Sequence, residues 1–319
     1  MGFQQTRVGR VKAAGGSRTP RLLPAIKNLG PRTASRYLRA FSRFVKLEHS
    51  VFALPFAYAG AFLAESAIPE FWRMFWITVA MVSARSLAMA LNRLLDADLD
   101  ALNPRTMERE IPAGRLTRVQ AWVFSLLSLA VLVYSTFNLP VITRYLWPVV
   151  VVAFVLYPLT KRWTWLCHLF LGATIGLGPV GAWVAVTGEV TWQPFVLGAA
   201  VTFWIGGFDI IYAFADRDFD REHGIHSLPA DLGTTSGLWT TRFFHLGSVL
   251  LLAVAGWVAG MGVIYYAGVV VCGLLLAYES WIMRDEDLSR LGLAFMTVNS
   301  VVSVVFFLFT TVATVVGTS

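Results

Sequence analysis

Charged side chains are scarce in this chain: Asp, Glu, Lys and Arg together make up 14% of 319 residues. A soluble domain usually carries about 25%. Cysteine is nearly absent, and Cys167 and Cys272 both lie in apolar runs, which excludes a disulfide framework and a cysteine zinc site. Strand-like alternation is missing too. The apolar stretches are continuous and about twenty residues long, the length of a membrane helix, whereas barrel strands alternate. Acidic residues are absent from the first forty positions. Hydrophobic residues make up 56% of the chain. These features describe an all-α integral membrane protein, with its 26 glycines and 12 tryptophans suited to close helix packing and interfacial anchoring.

The net charge of +7 invites a nucleic-acid reading, but its distribution argues against one. Many of the basic residues precede position 47, and most others fall in alternate loops. That is the pattern of membrane orientation. Residues 1–40 read as a disordered basic arm suited to an anionic membrane face, and 41–319 as the folded domain. Two other readings of the arm stay open: Gly2 to Thr6 fits a loose myristoylation pattern, and a basic, acid-free leader is similar to a transit peptide. Residues 33–47 suggest an interfacial amphipathic helix.

Nine spans follow from hydropathy, at 47–66, 71–98, 119–138, 143–159, 164–187, 194–216, 237–259, 262–283 and 289–315. With the N-terminus inside, the inner connections hold Arg105, Arg109, Arg115 and Arg118, then Lys161 and Arg162. Arg217, Arg221, Arg242, Arg284 and Arg290 follow, against Arg73 and Arg144 outside. The positive-inside rule then sets the orientation. The expected architecture is a nine-helix bundle around a central cavity open to the cytoplasm.

Two stretches carry the chemistry. Asn92, Asp96 and Asp100 are spaced by four, and so are Tyr212, Asp216 and Asp220. This spacing stacks each set on one helix face. Carboxylates in a membrane helix cost roughly 2.5–3.5 kcal/mol each near the bilayer centre, so they should face a wet cavity and hold something positive. The span count places both sets at the same, cytoplasmic face. Each is followed by a polar loop and a Pro-Ala pair, Pro112-Ala113 and Pro229-Ala230, a faint repeat that suggests two related halves. Asp98, Asp209 and Asp218 add further oxygen donors. Hard oxygen ligands suit Mg²⁺, which commonly bridges carboxylates to phosphates. Arg105, Arg109, Arg115, Lys161, Arg162 and Arg217 gather at the same end and suit the remaining phosphate oxygens. A lipid-soluble diphosphate would justify a site inside the membrane. Arg85 sits mid-span, where an unpaired cation is costly; a pocket role or a salt bridge to an Asp would account for it. His223 and His226 form an H-x-x-H that reads as solvated loop or, less simply, a metal site.

These residues resemble the UbiA superfamily of intramembrane aromatic prenyltransferases. Asn92/Asp96/Asp100 look like its N-x-x-x-D-x-x-x-D motif and Tyr212/Asp216/Asp220 like its second motif. Arg85 stands seven residues before Asn92, as in quinone-pathway members. Arg105-Thr106 and Arg109 through Gly114 resemble the following loop, with Glu110 in place of a proline. Tyr157 to Thr164 looks like the Y-P-x-x-K-R-x-T signature, and Gly224 to Ser227 like G-I-x-S. His168 stands where a Gln is common. Phe41 to Phe56 reads like helix 1 of the 4-hydroxybenzoate and menaquinone-pathway enzymes.

The resemblance implies Mg²⁺ on Asp96, Asp100, Asp216 and Asp220. It implies a polyprenyl diphosphate held by Arg85, Asn92, Arg105, Arg109, Lys161 and Tyr212, with Lys161, Arg162 and Tyr157 acting on its departure. The prenyl group then passes to an aromatic acid in ubiquinone or menaquinone synthesis, with Asp216 or Asp209 taking the phenolic proton. It also implies a bacterial inner membrane, lipid surroundings and no nucleic-acid partner. The competing class is an ion-coupled secondary transporter using the same acids.

Overall fold

The computed structural model describes residues 41, 43–44, 50–283 and 291–317. The basic arm, most of the interfacial segment, Lys46 to His49 and residues 284–290, with Arg284 and Arg290, lie outside the described residues. Phe41 stacks on Phe124 at 4.9 Å between ring centroids, and Phe44 packs edge-on against the same ring.

Among the described residues every regular element is helical. Helix α1 is Ser50–Glu65, α2 Phe71–Leu95, α3 Ala97–Leu102, α4 Arg118–Thr136, α5 Thr143–Thr160 and α6 Cys167–Thr187. They are followed by α7 Gln193–Ala213, α8 Arg217–His223, α9 Leu228–Leu232, α10 Thr234–Val258, α11 Val263–Ile282 and α12 Asn299–Gly317. Eight described helices are long and apolar enough to cross a bilayer. The ninth expected span, 47–66, contains α1, whose described part is Ser50–Glu65. The other expected boundaries fall within a few residues of the observed ones, except that the last span, expected from 289, is continuous α-helix only from Asn299, after a π-helical stretch over Leu293–Val298.

Helices α1, α6, α7, α10, α11 and α12 pack in sequence around a ring that closes between α12 and α1. Helices α2, α4 and α5 form a second group, joined to the ring chiefly where α5 lies against α6, with α2 touching both α1 and α6. Helix α7 is the most enclosed. Trp204 on α7 sits against Phe56 of α1 at 4.7 Å, and Phe56 stacks on Phe306 of α12 at 4.9 Å. Trp204 Nε1 also donates to Asn299 Oδ1 at 2.7 Å, and Asn299 Nδ2 donates to Glu279 Oε1 at 2.9 Å. This chain ties α7, α11 and α12 together and gives a buried carboxylate a partner.

Glycine decides how closely α6 and α7 cross. A Cβ at Gly172 would overlap the carbonyl oxygen of Thr202, and one at Gly176 that of Gly198. Small residues allow such backbone contact in lipid, where packing rather than hydrophobic exclusion drives association. Gly176→Val is expected to destabilise the protein by about 1–3 kcal/mol, the usual cost of overpacking. The check is a lower unfolding midpoint in detergent. Because His168 of α6 and Asp209 of α7 touch across this crossing, activity should fall with it.

Candidate active site

Both acidic motifs lie where a long helix breaks. Helix α2 ends at Leu95, Asp96 adopts φ −97° and ψ 2°, and α3 begins at Ala97. Helix α7 ends at Ala213, passes through a 3-10 turn over Phe214–Asp216, and continues as α8 with Asp216 at φ −106° and ψ −2°. This sparsely populated bridge region is one where many active-site residues sit. The matched break in the two halves extends the repeat seen in the sequence. Hydrogen bonds from Asp96 N to Asn92 O (3.0 Å) and Asp100 N to Asp96 O (2.8 Å) keep the four-residue register through the first break.

The loop after α3 folds back to bring the motifs together. Asn103 Nδ2 donates to Asp216 Oδ1 at 2.9 Å, and Arg105 Nε donates to the same oxygen at 2.7 Å. Arg105 also bonds Asp216 Oδ2 and the Tyr212 hydroxyl, with its guanidinium 4.6 Å above the centroid of the Tyr212 ring. Burial works against the Arg105 cation, but the bonds to Asp216 and Tyr212 outweigh it and hold its pKa above the ordinary value. Lys161 Nζ donates to Asp96 Oδ2 at 2.7 Å, and Arg109 Nη1 donates to both oxygens of Asp100 at 2.6 and 2.8 Å. Ser227 Oγ donates to Asp220 Oδ2 at 2.8 Å. Asn92 Nδ2 reaches Asp96 Oδ2 at 3.4 Å. Burial pushes the Asp96 carboxyl above the usual carboxylate range, against the opposing pull of Lys161.

Two cavities share this end of the bundle. A small polar one of about 90 Å³ is lined by Asp100, Asn103, Arg105, Arg109, Lys161, Asp216 and Asp220 among others. A larger one of about 450 Å³ begins at Asn92, Asp96, Lys161, Asp209 and Tyr212 and continues along apolar side chains to Ile77, Leu139 and Trp147. Arg109 and Lys161 line both. Arg85 and Tyr157 line the larger one. Arg85 is in no ion pair with an Asp among the described residues, and its Nε is buried without a hydrogen-bond partner.

Several expected residues stand elsewhere. Arg162 lines neither cavity; its Nη2 donates to Leu95 O at 2.9 Å and so caps the end of α2. Asp98 and Asp218 point outward, paired with Arg118 and Arg217, because each is offset from the stacked acids by half a turn. Glu110 is buried beside Arg115 at 3.9 Å. His223 stacks on Phe219 at 4.0 Å, while His226 Nδ1 lies 2.8 Å from Asp231 Oδ2, so the two histidines have separate partners.

Other residues enter the site unannounced. Arg93 is 4% exposed, lines the larger cavity and leaves Nε and Nη1 unpartnered. Its signal was available, since a cation next to Asn92 at the end of an apolar run carries the same cost as Arg85. Asn103 has no sequence signal beyond polarity, because its contact comes from a loop folding back, whereas Ser227 ends the Gly224-Ile225-His226-Ser227 run. Gly224, at φ +66°, supplies the left-handed turn that ends α8 and returns Ile225–Ser227 to the acids.

The donor set fits a hard divalent cation such as Mg²⁺. Its side chains are carboxylates and an amide, and Asp96 Oδ1 is buried with no partner. Among the described residues no three His, Cys, Asp or Glu side chains converge on one point. Asp100, Asp216 and Asp220 instead line the polar chamber and Asp96 the larger cavity, each with its own neighbour.

Residues 53–315 match the family model described as the UbiA prenyltransferase family. A protein from Tolumonas auensis named 4-hydroxybenzoate octaprenyltransferase is 30% identical over 244 residues, 76% of this chain and 85% of that protein. The solved structure of a UbiA homolog from Aeropyrum pernix K1 has a TM-score of 0.75 at 30% identity, covering 82% of this chain and 97% of its own. A UbiA homolog from Archaeoglobus fulgidus, solved bound to DMAPP and Mg²⁺, shares the fold with a TM-score of 0.65 at 17% identity, covering 86% of this chain and 98% of its own.

Proposed function

This chain belongs to the UbiA prenyltransferase family, and from that premise we propose that it moves a polyprenyl group from a polyprenyl diphosphate to an aromatic acid of the 4-hydroxybenzoate class. The product would serve ubiquinone or menaquinone synthesis. The enzyme is an integral, multi-pass membrane protein; the bacterial inner membrane and a cytoplasmic mouth are the setting its basic loops favour. One observation carries the reading: a polar chamber lined by Asp100, Asp216 and Asp220 lies beside a larger, mostly apolar cavity that starts at Asn92 and Asp96, with Arg109 and Lys161 lining both. A diphosphate head with a long apolar tail has that shape and polarity.

Asp96, Asp100, Asp216 and Asp220 would hold Mg²⁺, with Asn92 orienting Asp96. The metal would supply charge neutralisation of the diphosphate. Lys161, Arg105 and Arg109 stabilise the negative charge that grows on the leaving oxygen, and Tyr212 keeps Arg105 in place. Arg162 contributes by fixing the end of α2. The apolar wall shields the allylic cation from water, and Tyr157 completes that wall beside Lys161.

The acceptor's phenolic proton passes to Asp209. The ring carbon next to that oxygen bonds to the allylic carbon, whose bond to the diphosphate oxygen breaks with its electron pair. The ring carbon then loses its hydrogen to solvent, the oxygen regains its proton, and aromaticity returns. Arg85 stands seven residues from Asn92, about 10 Å of helix. That is too far to share the diphosphate with the acids, so we assign it to the carboxylate of the aromatic acid rather than to the head group.

The test uses membranes containing the protein, Mg²⁺, labelled prenyl diphosphates and a panel of phenolic and naphthoic acids. Prenylated acid forming without an ion gradient is the expected result, and it separates this reading from an ion-coupled transporter. No product with any acid would refute the acceptor class. Arg85→Gln is expected to raise KM for the aromatic acid about 10- to 100-fold, equivalent to one lost charge-assisted bond of 1.5–3 kcal/mol, with KM for the diphosphate unchanged. The opposite pattern would return Arg85 to the diphosphate.

A further inference from the structure

We propose that His168 is a positioning residue that holds Asp209 as the proton acceptor, and that the backbone of the loop after the second motif locks its tautomer. The inference rests on the reading that Asp209 receives the phenolic proton.

His168 lies in the first turn of α6 and is 3% exposed. Its Nδ1 is 2.7 Å from Asp209 Oδ2. On the other side of the ring, the backbone N–H of Leu228 donates to Nε2 at 3.2 Å. An amide N–H can donate only to a ring nitrogen that bears no proton. The accepting role of Nε2 leaves Nδ1 to donate its proton to Asp209 Oδ2. Asp209 side chain remains 23% accessible and lines the larger cavity, and Oδ1 is left for the acceptor.

Leu228 is itself held by its neighbours. Ser227 Oγ donates to Asp220 Oδ2 at 2.8 Å. His226 N donates to Lys161 O at 2.7 Å, and Cys167 Sγ donates to His226 O at 3.4 Å. Three consecutive residues thus bear on Lys161, on Asp220 and, through His168, on Asp209. The strap that shapes the diphosphate chamber also aims the carboxylate facing the acceptor. A glutamine can make the same two contacts: its Nε2–H can donate to Asp209 and its Oε1 can accept from Leu228.

The experiment compares wild type, His168→Gln, His168→Leu and Asp209→Asn in the full-length chain, purified in detergent. Each is assayed with 4-hydroxybenzoate and with ring-fluorinated analogues whose phenols ionise more readily. His168→Leu is expected to lose about 10- to 100-fold in kcat, the usual scale for an outer-shell partner, with KM for the diphosphate unchanged. His168→Gln is expected to recover most of that loss. The gap between wild type and His168→Leu should narrow as the acceptor becomes more acidic, because a phenol that is already ionised needs no base. A merely structural role predicts the same gap for every acceptor.

Equal kcat in His168→Leu and wild type would overturn the proposal, and so would a His168→Gln protein as poor as His168→Leu. If the leucine variant fails to assemble, His168→Asn, whose shorter amide reaches only one of the two partners, takes its place with the same expectations. Full activity in Asp209→Asn would remove the base assignment and the proposal with it. A wild-type chain that prenylates no aromatic acid would instead overturn the underlying function.

Discussion

Asp96→Asn and Asp216→Asn are each expected to lower prenyl transfer by about 10³-fold, the upper range for losing one preorganised electrostatic group, while the protein stays folded in the membrane. Asparagine keeps the shape, so no void opens and the helix breaks at 96 and 216 are undisturbed. What is lost is charge. Asp96 is 2% exposed with one oxygen bonded to Lys161 and the other unpartnered. Asp216 receives both Asn103 and Arg105. Asp100 and Asp220 keep their own positions beside Arg109 and Ser227, so neither moves to supply the lost charge. The double variant should be little worse than either single one, since groups that act as a unit are not additive. Initial rates across a Mg²⁺ series, beside expression and unfolding midpoints, provide the check. A rate within tenfold of wild type in either variant would remove the proposed metal-diphosphate site.

Lys161→Met carries the second large effect, an expected loss of about 10²–10³-fold at neutral pH with the acid limb of the pH profile moved upward. Burial holds the Asp96 carboxyl above the usual range, and the Lys161 ammonium is the main force opposing it. Without that ammonium the carboxyl rises further. The ionised form needed to hold a cation is then lost at a higher pH as the solution is acidified, and raising the pH restores part of the rate. Methionine keeps most of the aliphatic stem, so packing is preserved. An acid limb that does not move would separate Lys161 from Asp96 and reduce the residue to a contact with the diphosphate.

Much of the bundle was legible because a membrane helix is recorded in one dimension, as an apolar run with charged ends. The placement of both motifs at one end followed from the parity of spans between Asp100 and Tyr212. Contacts made by chain reversal were not legible. Nothing in the spacing of Asn103 says that it returns to Asp216 across 113 positions, or that Leu228 offers its amide to a ring 60 residues earlier. Adjacent residues at a helix end point about 100° apart, and here Lys161 lines both cavities while Arg162 turns to Leu95 O. The four-residue rule also concealed the breaks at Asp96 and Asp216, since the hydrogen-bond register survives the first of them.

The pairing of Asp96 with Lys161, Asp100 with Arg109 and Asp216 with Arg105 has a thermodynamic corollary. Within the chain these opposite charges already satisfy one another. A bare anion must compete with aspartates for its cations, and a bare cation must compete with ammonium and guanidinium groups for its oxygens. A visitor bringing both signs exchanges partners on both sides at once and strands no buried charge. The pocket therefore discriminates by valence pattern: it prefers a salt to either of its ions, and mimics that carry only one half should forfeit far more than half of the binding.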